Sequence, residues 1–326
     1  MIHRQEQDKK MRPIFSIVVP VYQNEKNLHQ SLPKLLSLKE LLPDYELELV
    51  FVDDGSSDSS LSILNIFAEK NPQNIKIIRL ARNFGQTPAI QAGLRYARGQ
   101  CVGIISADLQ EPFELFVDML KKWEEGAKFV MGERCHREED KRHQMISGLY
   151  WSIVRRFALP DFPKMGYDFC LIDRQVVENI NQINEKNSSI FVLIYWLGYH
   201  PVRIPIKRGL RKEGKSQWCL WRKINFTIDT IFNFTFLPAR LITFSGITMA
   251  FFCVLYLLRM ITLWLLYHEA PPGWMSVIGL LALLGALLLF SIGIVSEYLL
   301  RILDEARKRP PYVVEDVIII KAKDKQ

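Results

Sequence analysis

Two long apolar runs near the end of the chain, Ile242–Tyr267 and Met275–Leu300, constrain the fold of these 326 residues more than any other feature. Each exceeds the roughly 20 residues needed to cross a bilayer core of about 30 Å. Only His268–Trp274 separates them, so the spacing predicts a helical hairpin. The residues before them read as a soluble enzyme. A catalytic domain carried on such a hairpin has its working face at the lipid headgroups, which points to a lipid as substrate or recipient.

The polar segment 1–13 is expected to be disordered. It lacks a charged-then-apolar start with a small-residue cleavage site, so the first long apolar run is read as the anchor itself. The link between the runs carries no Lys or Arg. Arg222, Lys223 and Arg240 precede the hairpin, and Arg301, Arg307, Lys308 and Arg309 follow it. The positive-inside rule therefore places the catalytic domain and both termini in the cytoplasm, with the chain a multi-pass protein of the inner membrane. The net charge of +7 raises a nucleic-acid reading. Much of the basic charge, however, clusters beside the predicted membrane surface, where anionic lipid accounts for it, and nucleic acid is excluded as a partner. Five scattered cysteines with no CxxC pair read as reduced thiols rather than a zinc or disulfide framework.

From Phe15 onward, β-branched runs alternate with helical stretches. Phe15–Val21, Leu47–Val52, Ile75–Leu80 and Cys101–Ser106 read as buried strands, with Leu28–Leu38, Leu61–Lys70 and Pro88–Ala97 as helices between them. That alternation predicts a mainly parallel α/β sheet covered on both faces. Ligands then collect at the carboxyl ends of the strands. Two strands end in acids. Asp53, in Val52–Asp58 (VDDGSSD), is either a turn and cap residue or an acceptor for a base N–H or ribose hydroxyls. Asp108, in Ser106–Pro112 (SADLQEP), is either a cap or a ligand that holds a divalent cation against a diphosphate. Glu111–Pro112 then opens a helix.

The pieces PVYQNE (Pro20–Glu25), VDDGSSD, RNFGQ (Arg82–Gln86), ARG (Ala97–Gly99) and SADLQEP occur in this order. The set resembles the inverting GT-A glycosyltransferases of family 2. With the hairpin, the chain is similar to the polyisoprenyl-phosphate glycosyltransferases over about Phe15–Tyr312. The resemblance implies a Rossmann-like GT-A catalytic domain at 14–220 and an interfacial amphipathic helix at 221–241. A transmembrane hairpin at 242–300 and a cytoplasmic tail at 301–326 follow, with a strand in the tail returning to the catalytic domain. It further implies a nucleotide-sugar site formed by Pro20, Tyr22, Glu25, Asp53, Asp108 and Gln110. Mg2+ or Mn2+ is expected at Asp108 and Gln110, and a phosphate grip at Arg134, Arg211, Lys215 and Ser216. Asp168 stands where the family places an acceptor-site acid. The family's metal motif is often Asp-x-Asp, and Ser106 replaces its first position. That variant is familiar from the bacterial glucosyl and aminoarabinosyl branches and favours UDP-glucose over GDP-mannose.

The expected reaction is attack by a polyprenyl phosphate oxygen on the anomeric carbon, with a nucleoside diphosphate leaving. A phosphate monoester, with a second pKa near 6, is already nucleophilic at neutral pH, so Asp168 is expected to orient charge rather than act as a base. Within the hairpin, Arg259 is expected to snorkel and Glu297 to pair with Arg301. Gly279, Gly285, Ala286 and Gly293 would allow close helix contact or homo-oligomerisation. Two spans give no route for a sugar across the membrane, so a separate flippase and a downstream transferase are expected. Leu149–Leu159 is read as either a second interfacial helix or core packing. A processive polysaccharide synthase would need more spans and a Gln-x-x-Arg-Trp element, and a non-catalytic adaptor would not need Asp53, Asp108, Gln110 and Arg211.

Overall fold

A computed structural model describes residues 12–134, 159–183, 188–206, 237–267 and 273–319, with positions 151, 152, 155, 156, 185 and 232 between them. Its centre is a single eight-stranded sheet. The first half alternates strand and helix: β1 (Ile14–Val21), α1 (Glu25–Leu41), β2 (Glu46–Asp53), α2 (Ser60–Lys70), β3 (Ile75–Leu80), α3 (Gln86–Tyr96), β4 (Cys101–Ile104) and α4 (Phe116–Glu124). Then come β5 (Phe129–Arg134), β6 (Cys170–Asp173), α5 (Arg174–Asn181), α6 (Ile190–Trp196), β7 (Val202–Ile206), the long helices α7 (Leu237–Tyr267) and α8 (Trp274–Ala306), and β8 (Val314–Ile319). The spatial order is β7-β5-β6-β4-β1-β2-β3-β8.

β4, β1, β2 and β3 are mutually parallel neighbours. Their residues alternate between two cores, as a sheet covered on both faces requires. Phe15, Ile17, Val19, Leu49 and Phe51 pack with α1, α2 and α4. Val18, Val50, Val52 and Ile78 pack with α3, α5 and α6. Two antiparallel strands modify the parallel plan. β6 runs against both β4 and β5, so its first residues lie at the same end of the sheet as the last residues of those two strands. β8 returns after the hairpin and pairs antiparallel with the edge strand β3. The chain is thus a mixed α/β fold, parallel at its centre and antiparallel at β6 and β8, as the α/β expectation from the sequence requires.

At the opposite end from the site, the amino ends of the strands are joined by one buried acid. Glu48 accepts from Ser16 Oγ at 2.5 Å, Lys76 Nζ at 3.1 Å, Arg98 N at 2.8 Å and Arg98 Nε at 2.9 Å. Gly99 follows Arg98 because an added Cβ would lie 2.6 Å from the Ser16 backbone nitrogen. The ARG motif is therefore a structural clasp. Burial alone would push the Glu48 carboxyl up, but Ser16, Arg98 and Lys76 hold it below its ordinary value of 4.5.

α7 and α8 each contain a stretch long and apolar enough to span a membrane, Pro238–Leu266 and Val277–Ala306. α8 is 33 residues, or about 50 Å at 1.5 Å per residue, longer than a bilayer core of about 30 Å requires. Glu297 and Arg301 pair at 3.0 Å. Phe232 packs on Tyr298 and under the Arg301 guanidinium. Arg259 is exposed. Among the described residues, no atom of another element stands within 4 Å of where a Cβ would sit on Gly279, Gly285 or Gly293, so α7 does not pack closely on these residues of α8. Trp151 stacks on Phe162 at 4.9 Å, which gives that end of Leu149–Leu159 a place in the domain core. The rest of segments 1–13, 149–159 and 221–241 lies largely outside the described residues.

Glu48→Ala leaves the Lys76 ammonium buried without its counter-charge. It should cost about 3–5 kcal/mol, read as a lowered unfolding midpoint of the purified protein. Because the Glu48 carboxyl is held low, its contribution is present above pH 4.5 and is lost as pH falls through the lowered value.

Candidate active site

The carboxyl ends of β1, β2, β3 and β4 lie side by side and their loops form the site. Asp53, the last residue of β2, pairs in register with Val21 at the end of β1. It is fully buried. One carboxylate oxygen accepts from Ser56 N at 3.3 Å, and Oδ1 has no hydrogen-bond partner among the described residues. Burial pushes its pKa up, against the pull of Ser56 and Arg79. A buried acceptor left over at the end of a strand suits a ligand N–H or hydroxyl.

The neighbouring Asp54 builds the pocket wall. Its Oδ1 accepts from Phe84 N at 2.7 Å and its Oδ2 from Gly85 N at 2.8 Å. This ties the loop after β3 to the loop after β2. Gly55, at φ +68, makes the tie possible, since a Cβ there would sit 2.6 Å from the Arg82 carbonyl carbon. VDDGSSD and RNFGQ are thus one interlocked unit. Sequence reasoning singled out Asp53 and passed over Asp54, although the doubled acid before a glycine was the available signal.

The loop after β1 is bound to the same unit. Gln23 N donates to Ser56 Oγ, Asn24 N to Ser60 Oγ, Glu25 N to Asp58 Oδ2, and Ser59 N back to Glu25 Oε2, at 2.9–3.2 Å. Gln23 is held at φ +50, a left-handed conformation uncommon outside glycine. Glu25, expected at the donor sugar, is engaged with the Ser59 backbone. Pro20 lies within β1 opposite Val52, and the half-buried Tyr22 follows β1.

Beyond β4 the chain folds sharply. Leu109 N donates to Ser106 O at 3.2 Å, and Leu109 itself has φ +45. Ser106 Oγ lies 2.8 Å from both Asp108 Oδ1 and Glu111 Oε2. Glu111, read in the sequence only as the opening of a helix, is 1% exposed. Its Oε1 lies 3.9 Å from Arg134 Nη2, and Arg134 forms a close ion pair with Asp168. The order β4-β6-β5 makes this possible. Ser106–Glu111 follow β4, Asp168 precedes the antiparallel β6, and Arg134 ends β5, so all reach the same rim. A line of polar and charged contacts therefore runs from Asp108 through Ser106, Glu111 and Arg134 to Asp168. Arg211, Lys215 and Ser216 lie outside the described residues.

Asp108 and Gln110 flank the left-handed Leu109 and offer hard oxygen donors, which suits Mg2+ or Mn2+. Among the described residues no group of three or more His, Cys, Asp or Glu side chains converges to cage a metal. A cation here would complete its shell from substrate phosphate and water, as Mg2+ commonly does.

Residues 16–180 match glycosyl transferase family 2. The chain is 33% identical over 302 residues to the uncharacterized glycosyltransferase YkcC of Bacillus subtilis, covering 92% of this chain and 93% of that one. It is 32% identical over 302 residues to the bactoprenol glucosyl transferase of Shigella phage SfV, covering 92% and 98%. Mannosyl-3-phosphoglycerate synthase from Rubrobacter xylanophilus superposes with a TM-score of 0.48 at 16% identity, over 72% of this chain and 75% of that one. The chain belongs to glycosyl transferase family 2 and is a glycosyltransferase.

Burial raises the Asp54 carboxyl from 3.8 to about 6, with Asp53 adding to the rise and the Phe84 and Gly85 amides opposing it. Between those values the folded state binds the extra proton, so this group's stabilisation is lost as pH rises from 3.8 to about 6. Unfolding midpoints measured across that window should carry this slope in the wild type and lose it in Asp54→Asn. Equal slopes would show that Asp54 does not titrate there.

Proposed function

We propose that this enzyme transfers glucose from UDP-glucose to a polyprenyl phosphate at the cytoplasmic face of the membrane, with inversion at the anomeric carbon. The observation that carries the reading is the end-to-end match, 92% of this chain and 98% of the relative, to a protein named bactoprenol glucosyl transferase. The match takes in the helices α7 and α8 as well as the catalytic domain. Those helices, read as a membrane-spanning hairpin, keep the domain next to a lipid acceptor.

In the reaction, an oxygen of the lipid phosphate forms a bond to the anomeric carbon as the bond from that carbon to the diphosphate oxygen breaks, and UDP departs with the electron pair. The acceptor phosphate is largely ionised near neutral pH, so no side chain has to remove a proton. Asp53 accepts from the uracil or ribose through its unfilled oxygen. Asp108 and the Gln110 carbonyl would hold Mg2+ or Mn2+, whose chemistry there is to offset charge developing on the diphosphate. Arg134, positioned by Asp168 and Glu111, adds positive charge where phosphates meet. Arg211, Lys215 and Ser216 grip the lipid phosphate. Ser106 keeps one formal charge fewer at the rim than an aspartate would, while its hydroxyl ties Asp108 to Glu111. The product then passes to a separate flippase and a downstream transferase.

Two substitutions test the roles. Asp108→Asn should lower kcat by at least about 100-fold, the scale of losing one electrostatic stabiliser, without unfolding the protein. Asp168→Asn should lower it by roughly 10-fold or more, with Arg134 no longer held, and should leave the pH profile unchanged because Asp168 carries no transferred proton. Wild-type turnover in Asp108→Asn, or loss of an ionisation from the profile of Asp168→Asn, would reject these assignments.

A further inference from the structure

A cavity of about 580 Å³ lies away from the carboxyl ends of the strands, where the elbow after α8 meets the outer side of α3 and α5. Its volume is in the range of small-ligand sites. Gln91, in the middle of α3, lines it and is only 6% exposed. Neither its Nε2 nor its Oε1 has a hydrogen-bond partner among the described residues. A buried amide with both ends unfilled is destabilising, and a ligand offering both an acceptor and a donor would relieve that cost.

The lining charge identifies that ligand. Arg95, Lys308 and Arg309 line the cavity together with Asp304 and Glu305. Asp304 has Arg307 at 4.0 Å as a further counter-charge, so the balance is positive and favours an anion. The elbow is also built to present its cations. α8 ends at Ala306, and Lys308 sits at φ +47, in the left-handed position that glycine usually takes after a helix. A lysine is strained there, and it keeps an ammonium at the lip. Tyr312 lines the cavity beside these cations. A bilayer core consumes about 20 residues of helix, so with α8 spanning the membrane its last turns and this elbow emerge at headgroup level.

We propose that this cavity is a second binding site, separate from the transfer site, for a polyol-phosphate group. Its phosphate meets Arg95, Lys308 and Arg309, and a hydroxyl and a phosphate oxygen satisfy the two ends of Gln91. The source is either an anionic glycerophospholipid headgroup or free glycerol phosphate. The site rests on the spanning of α8 only for its depth, and co-sedimentation with neutral phosphatidylcholine vesicles reports that spanning separately.

The test is native mass spectrometry of the full chain in neutral detergent, offered phosphatidylglycerol or phosphatidylcholine. The wild type should retain phosphatidylglycerol about tenfold over phosphatidylcholine, one decade in the equilibrium constant. Both the R95Q/K308Q/R309Q variant and Gln91→Leu should lose that preference while keeping wild-type transfer. Competition by glycerol 3-phosphate assigns the site to the soluble source, and its failure assigns it to the lipid. Wild-type retention in both variants would overturn the proposal. So would a loss confined to the triple variant, because diffuse surface attraction needs the charges and not the buried amide.

Discussion

One carboxylate receiving two backbone amides holds the active face together. Asp54 takes the N–H groups of Phe84 and Gly85 and so ties the loop after β2 to the loop after β3. Backbone amides buried in irregular loops must find acceptors or cost about 1–3 kcal/mol each. Short polar side chains supply them here: Ser56, Asp58 and Ser60 serve the loop after β1, and Asp53 serves Ser56. That lashing lets Gln23 keep a left-handed backbone where it would otherwise relax. The walls of the candidate site are therefore set by hydrogen bonds among neighbouring loops, and the hydrophobic core below only fixes where those loops begin.

The second half of the site depends on strand direction. Because β6 runs against β4 and β5, Asp168 reaches the rim from the loop leading into β6, while Ser106–Glu111 and Arg134 reach it from strand ends. A serine in place of the first acid of an Asp-x-Asp motif fits this arrangement physically. Its hydroxyl joins Asp108 and the nearly inaccessible Glu111, where a third carboxylate would add repulsion. Glu111 and Asp168 then share Arg134, which keeps an arginine at the rim of the candidate site.

Much of this was legible in the sequence. β-branched runs marked the four central strands to within a residue or two, because strands buried on both faces show no polar alternation to blur them. Hydropathy alone marked α7 and α8. Asp53 and Asp108 were legible because acids ending apolar strands are conspicuous. Glu48 was not, since its partners Ser16, Lys76 and Arg98 come together only through the register of β1, β2 and β3. The Arg134–Asp168 pair was hidden for the same reason, joining residues on two strands whose antiparallel pairing no local pattern announces. Glu111 looked like a helix-opening residue because glutamate beside proline ordinarily is one. Gln91 gave no signal at all, as a glutamine on a helix is usually solvated.

The central claim is glucosyl transfer to a polyprenyl phosphate, and wild-type product formation tests it most directly. The purified full chain in detergent would be given undecaprenyl phosphate and sugar-labelled UDP-glucose, GDP-mannose or UDP-aminoarabinose, with and without Mg2+ or Mn2+. The account predicts lipid-extractable label from UDP-glucose, matched by released UDP and dependent on the cation. Label from another donor alone, or from none with the protein folded, would contradict it.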